Sequence, residues 1–177
     1  MRSVAMNLLQ TIRVLERCAA LQPNVRTIVR NDVFRLNACP DVDYGAVAWL
    51  QGEHTTEDGS NLLTYNFTLF YVDRLTEDKG NEVEVQSQGI ETLENILRSL
   101  PDLGLYPGAY SFRTFNQRFA DECAGVFCTV ALQAAKDALC PEAYEFLAAA
   151  REYSPDYNED YKWWTWKVSE DKTVKII

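Results

Sequence analysis

The sequence predicts an α+β fold: a mixed or antiparallel β-sheet with two helices packed on one face, followed by a short C-terminal helix and an aromatic β-hairpin. Three observations predict it. Two long segments repeat apolar residues at helical spacing, one near the start of the chain and one ending at Leu100. Between and after them, shorter runs rich in β-branched and aromatic residues alternate apolar with polar positions, the period of a half-buried strand. Clusters of Gly, Pro, Asn and Asp separate the runs where a chain must turn.

The first helix is expected over Val4 to Leu21. Val4, Leu8, Ile12 and Leu15 form its stripe, Leu9 and Cys18 lie beside it, and Pro23 with Asn24 closes it. Asn7, Gln10, Arg13 and Glu16 interrupt the apolar character, so the segment reads as a surface helix and not as a signal peptide. Val25 to Leu36, rich in β-branched residues, reads as the first strand, and NACPDVDYG at 37–45 as a loop. Ala46 to Glu53 is the second strand, joined to the third by HTTEDGSN at 54–61, a polar loop in which Asp58 and Gly59 signal a projecting hairpin.

The third strand is the clearest element. Leu63, Tyr65, Phe67, Leu69 and Tyr71 fall on one face, and Thr64, Asn66, Thr68 and Phe70 on the other. Both faces carry aromatics, so the more polar face is expected to meet something other than bulk water. A charged turn, Thr76 to Gly80, leads into a helix whose stripe is Ile90, Leu93, Ile96, Leu97 and Leu100, stopped by Pro101. After the turn at 102–110, alternation returns at 110–118, with Tyr110 and Phe112 on one side, and at 124–134, with Ala124, Val126, Cys128, Val130 and Leu132 on one face. These two strands are expected as a hairpin or an adjacent pair, and the sheet face away from the helices as a free surface.

From 136 onwards the character changes. Pro141 followed by EAYEFLAAAREY reads as a short helix, and SPDYNEDYKWWTWKVSEDKTVKII as a β-hairpin. Trp163, Trp164 and Trp166 within that hairpin are more aromatic surface than a free hairpin keeps exposed. Either it packs back on the domain or it docks on another subunit. The second is the reading adopted, because Tyr and Trp serve as interface anchors and a polar linker precedes the segment.

At 177 residues with 47% hydrophobic content the chain is long enough for one core. Its formal net charge of −9 comes from 26 acidic against 17 basic residues, with no basic cluster beyond a pair, which argues against a protein that grips nucleic acid through phosphates. Cys18, Cys39, Cys123, Cys128 and Cys140 show no CxxC spacing and read as free thiols packed as small hydrophobes in a reducing compartment. No apolar run is long enough to span a bilayer. The single histidine, His54, lies in an acidic stretch with Glu53, Glu57 and Asp58, which reads as a solvated turn and not as a metal cluster. None of the common nucleophile, phosphate-loop, dinucleotide or zinc-protease motifs occurs, so no catalytic, cofactor-binding or metal-ligating residue is expected, and no enzyme.

Two stretches, YVDRLTEDKGNEVEVQSQGIETLENIL at 71–97 and FNQRFADECAGVFCTVAL at 115–132, stand in an order of helix, strand, hairpin, helix and two strands. So arranged, residues 4–135 resemble the tail-terminator or tail-completion proteins of tailed bacteriophages, especially the small neck and tail ring proteins of crAss-like phages. The resemblance implies a tail-terminator-like domain over 1–135 and a C-terminal helix and hairpin arm over 136–177. It implies a virion protein of neck or tail, made in the host bacterial cytoplasm. Copies of it would form a ring of roughly six or twelve subunits at the head-to-tail junction or upper tail. Such a ring contacts other neck and tail proteins, passes DNA without specific binding, and meets no membrane. On that expectation intersubunit contacts fall on strand edges around Tyr65, Phe67 and Tyr71, on Arg74 with its acidic neighbours, and on Trp163, Trp164 and Trp166. Glu57 and Asp58 would face the channel. The alternative is a small acidic protein-binding module of the immunity or inhibitor type, which meets a basic partner by charge complementarity.

Overall fold

The chain begins its first helix, α1 (Leu8–Ala20), with a reciprocal cap. Asn7 Oδ1 accepts from the Gln10 amide and Gln10 Oε1 accepts from the Asn7 amide, both at 2.9 Å, which satisfies two of the otherwise orphaned N–H groups. The computed structural model describes residues 6–33, 35–38, 42–56, 61–116, 122–135, 156–158, 163–169 and 172–177.

After α1 come β1 (Thr27–Arg30), the single turn α2 (Arg35–Ala38), β2 (Ala46–Thr56), β3 (Leu62–Arg74), α3 (Glu82–Ser99) and a 3-10 turn at Pro101–Leu103. Then follow β4 (Tyr106–Pro107), β5 (Arg113–Asn116), β6 (Cys123–Ala135), β7 (Asp156–Asn158), β8 (Trp163–Ser169) and β9 (Lys172–Ile176). One sheet holds all these strands in the order β4-β6-β3-β2-β1-β9-β8-β7, with β5 also on β6. Only the pairs β1–β2 and β1–β9 are parallel, so the sheet is mixed. The fold is α+β, as expected, and the adjacent pair foreseen across 110–134 is β5 with β6.

Both long helices cover one sheet face. Met6, Val14, Leu15, Leu93, Ile96 and Leu97 pack there against Trp49, Phe67, Leu69, Tyr71, Val126 and Leu132. Gly89 lets α3 approach closely: a Cβ at that position would stand 2.9 Å from Tyr71 Cδ1 and 3.0 Å from Val126 Cγ2. The opposite face carries a second, smaller cluster in which Val33, Leu36, Val42 and Tyr44 lie with Val29, Val72 and Phe115. This explains the aromatics on the far side of β3, where Phe70 stacks on Phe127 at 5.7 Å between ring centroids. The free face expected there is therefore covered over part of its extent, and the bridging role belongs to the crossover between β1 and β2.

The first strand is shorter than expected. β1 ends at Arg30 because Asn31 takes a left-handed backbone, φ 49°, and its Oδ1 accepts the Gln51 amide at 2.9 Å. Val33, the one β-branched residue beyond it in the expected strand, is turned into the crossover and joins the second cluster. The second strand is longer than expected, and the fourth is described over Arg113–Asn116 only. The short helix expected after Pro141 lies outside the described residues.

The C-terminal hairpin corrects the expected division at residue 135 into a domain and a separate arm. β9 lies parallel beside β1, with Thr27 opposite Lys175 and Ile28 opposite Ile176, and Val174 and Ile176 are buried in the main core. Lys172 Nζ donates to the Ala20 carbonyl at 2.8 Å and to the Gln22 carbonyl, so a cation from β9 caps the C-terminal end of α1. The hairpin is therefore packed back on the domain.

Candidate functional site

The C-terminal end of β3 carries the most elaborate polar arrangement among the described residues. Alternation along β3 sends Tyr71 into the helix-covered face, where the residue is fully buried and its hydroxyl reaches past the ring to the gap between α1 and α3. Asn24, in the turn after α1, donates from Nδ2 to Tyr71 Oη at 3.0 Å and to Thr92 Oγ1 at 2.7 Å. Thr92 in turn donates to the Gln88 carbonyl at 2.7 Å, and the Tyr71 hydroxyl donates to Asp73 Oδ2 at 3.3 Å. Asp73 Oδ1 accepts from the Gly45 and Arg74 amides at 3.2 and 2.8 Å. Gly45 is required here, since its φ of 67° and the Asn24 carbonyl leave no room for a side chain.

A polar groove opens over this network. Its inner part, a cavity of about 280 Å³, lies between the turn Gln22–Asn24 and the α3 residues Gln88, Glu91, Thr92 and Asn95. It continues along the N-terminal half of α3 past Glu84 and Ser87 to Asp73, and around Asp73 to Arg26, Asp43, Tyr44 and Arg74. The Arg74 guanidinium stands 4.7 Å from the centroid of the Tyr44 ring, a cation–π contact that holds it at the surface. Lys175 Nζ pairs with Asp43 at 2.8 Å.

The groove's chemistry is that of hydrogen bonding and charge. Burial first, and then the Asp73 carboxylate, push the Tyr71 hydroxyl well above its ordinary pKa, so it remains a donor at neutral pH. The buried thiols are equally inert: desolvation raises Cys18 to about 11 and Cys128 to about 12. Among the described residues no group of three or more His, Cys, Asp and Glu side chains is placed to hold a metal ion. His54 sits on the exposed part of β2, its ring edge-on to Tyr65 at 5.3 Å and near Phe67 at 6.1 Å. No helix among the described residues is long and apolar enough to cross a membrane.

The structure separates the residues expected at subunit contacts. Tyr65, Phe67 and Tyr71 are corrected: β3 is a central strand flanked by β2 and β6, and all three are buried in the core at 6% exposure or less. Their alternation reported burial, and only the strand order could tell a central strand from an edge. Arg74, by contrast, lies in the groove with Asp73 and Asp43. Trp163, Trp164 and Trp166 belong to β8, with Trp164 opposite Ile176 and Trp166 opposite Val174, while their side chains lie outside the described part of the structure. Glu57 and Asp58 lie outside the described residues. Asn24 and Thr92 gave no signal in the sequence, since one reads as a helix stop and the other as a polar helix position. No family model matches the sequence, and no curated protein matches it.

Proposed function

We propose that this protein is a virion structural subunit which assembles into a ring at a phage head-to-tail junction or upper tail and joins the layers on either side of it around the DNA channel. One observation carries the reading: among the described residues the sheet is open and its two margins are unlike, β4 and β5 on one side and β7 on the other. A subunit with two different margins is suited to heterologous contacts, and those close into a ring when the rotation between copies allows it. The net charge of −9 suits a wall past which DNA moves, because a polyanion meets no array of Lys and Arg to hold it. The finer tail-terminator-like fold and the position in neck or tail belong to the same proposal.

The test is the solution mass of the purified protein over a wide concentration range, with negative-stain images of the same fractions. Closed rings are the expected result, and a strict monomer at every concentration goes against it. The groove favours a second reading, an acidic module that binds a basic protein. Asp73 to Asp102 contains eight acidic residues against three basic, which is five of the nine net negative charges, and Asp73, Glu84 and Glu91 of that stretch line the groove. Tight, salt-sensitive binding of a basic protein by a stable monomer would mark that reading as the correct one.

A further inference from the structure

β2 outruns its outer neighbour. β1 accompanies it only from Ala46 to Trp49, and the next outward amide, that of Gln51, is taken by the Asn31 side chain. Beyond a bulge between Gln51 and His54 the strand continues to Thr56, paired on its inner side with β3. Residues 51–56 are all exposed, and no strand lies along their outer side among the described residues. Before the bulge the odd-numbered residues face outward, as Gln51 shows. The bulge adds one residue, so after it the outward backbone groups are those of His54. The Glu53 carbonyl is turned inward and accepts from Asn66 Nδ2 at 2.5 Å.

The opposite margin has a matching edge. Among the described residues β5 pairs with β6 alone. The Gly108 amide donates to the Ala131 carbonyl, so odd-numbered β6 residues face this margin and bond Arg113 and Phe115, which leaves the backbone groups of Thr114 and Asn116 directed outward.

We infer that the exposed end of β2 receives β5 of a second copy as an added antiparallel strand, with His54 opposite Thr114, so that the sheet runs on from one subunit to the next. The inference rests on the self-assembling subunit proposed above and specifies its contact. Three features fit these two edges to each other. β5 is four residues long, and in this register Arg113–Asn116 lies opposite Gly52–Thr55, all within the exposed part of β2. β2 and β5 run in opposite directions within the sheet, so a copy added by rotation presents an antiparallel strand. The faces also agree: the His54 ring lies against Tyr65 and Phe67 on the helix-covered face, and Asn116, the other outward residue of β5, donates from Nδ2 to Glu82 of α3 at 3.0 Å. Residues directly opposite in an antiparallel pair share a face, so both copies keep their helices on the same side, as a ring requires. On the other face Glu53 falls diagonal to Arg113, within reach of a long side chain.

This register places Thr55 opposite Arg113 in a non-hydrogen-bonded pair, where Cα atoms are about 4.5 Å apart and a disulfide can form. Both residues are exposed, so Thr55→Cys and Arg113→Cys leave the fold intact. The two variants are purified separately, mixed at a concentration at which the wild type is oligomeric, and oxidised, and the linked peptides are read by mass spectrometry. A disulfide joining position 55 of one copy to position 113 of another, absent from either variant alone and from a Thr55→Cys with Asn116→Cys mixture, is the expected result. Oligomers without that disulfide overturn this contact and leave the ring reading standing. A wild type that stays monomeric at every concentration, with no mixed disulfide, overturns both.

Discussion

The two faces of the sheet are held by different means. On one, two helices of several turns lie across β3 and β6 and bury a continuous set of large side chains, among them Phe67, Leu69, Leu93 and Ile96. On the other, a single helical turn and the crossover from β1 to β2 cover only the end near Val72 and Phe115, while Thr68 and Thr129 face each other at 3.2 Å farther along the strands. A long helix brings an apolar stripe already spaced to fill the face of a sheet. A short crossover can cap one end of it, and the uncovered remainder must carry residues that tolerate water.

Four substitutions probe how these elements are held. Leu93→Ala empties a fully buried site between α3 and the sheet and is expected to cost about 3–5 kcal/mol in urea unfolding. Leu36→Ala, at the single turn α2, should cost no more than about 2 kcal/mol, because that segment can relax into the gap. Equal losses would show that the two faces are packed alike. Glu16, on α1, is fully buried and takes both Arg30 Nε and Nη2, at 2.5 and 2.6 Å. Glu16→Ala leaves the partly exposed guanidinium without its partner and is expected to lower stability by about 3 kcal/mol, a loss that Arg30→Met in the same chain should partly restore. Lys172→Met removes the cation from the C-terminal end of α1 and is expected to cost about 1 kcal/mol. A neutral result would mean that strand pairing and the burial of Val174 and Ile176 hold β9 without help from this cation.

The pH dependence of unfolding sharpens the same comparison. The folded pKa of Tyr71 is raised above its unfolded value near 10, so its contribution is complete below pH 10 and is lost as the pH climbs above it, when the unfolded chain ionises first. Cys18 and Cys128, raised from 9.0 to about 11 and about 12, add to that loss from pH 9 upward. All three belong to the helix-covered face. Urea midpoints measured from pH 8 to pH 11 should therefore fall steeply in the wild type and less steeply in Tyr71→Phe. An unchanged slope in that variant would place the alkaline sensitivity elsewhere.

Much of the fold was legible in particular residues. The alternation from Leu63 to Tyr71 and the stripe Leu93, Ile96, Leu97 and Leu100 located β3 and α3 and identified the sides they bury, because both signals are local and repeat over several turns or pleats, while Ile90, expected on the same stripe, is exposed. The groove was not legible. Asn24, Tyr71 with Asp73, and Thr92 come from three separate segments, and their hydrogen bonds span up to 68 positions in sequence. Glu16 was read as an interruption of an apolar stripe, and its burial depends on Arg30 of a different element.

The sequence by itself determined where the long helices α1 and α3 and the long strands β3 and β6 form, and that the chain carries net negative charge, since each of these follows from neighbours a few residues apart or from composition. Only the tertiary structure decided which strand lies beside which. It set β3 in the middle of the sheet, brought β9 next to β1, and carried β2 past the end of β1 with no outer strand beside it among the described residues. Strand pairing is a contest among distant segments with similar patterns, settled by the packing of the whole core, and no local period records its outcome.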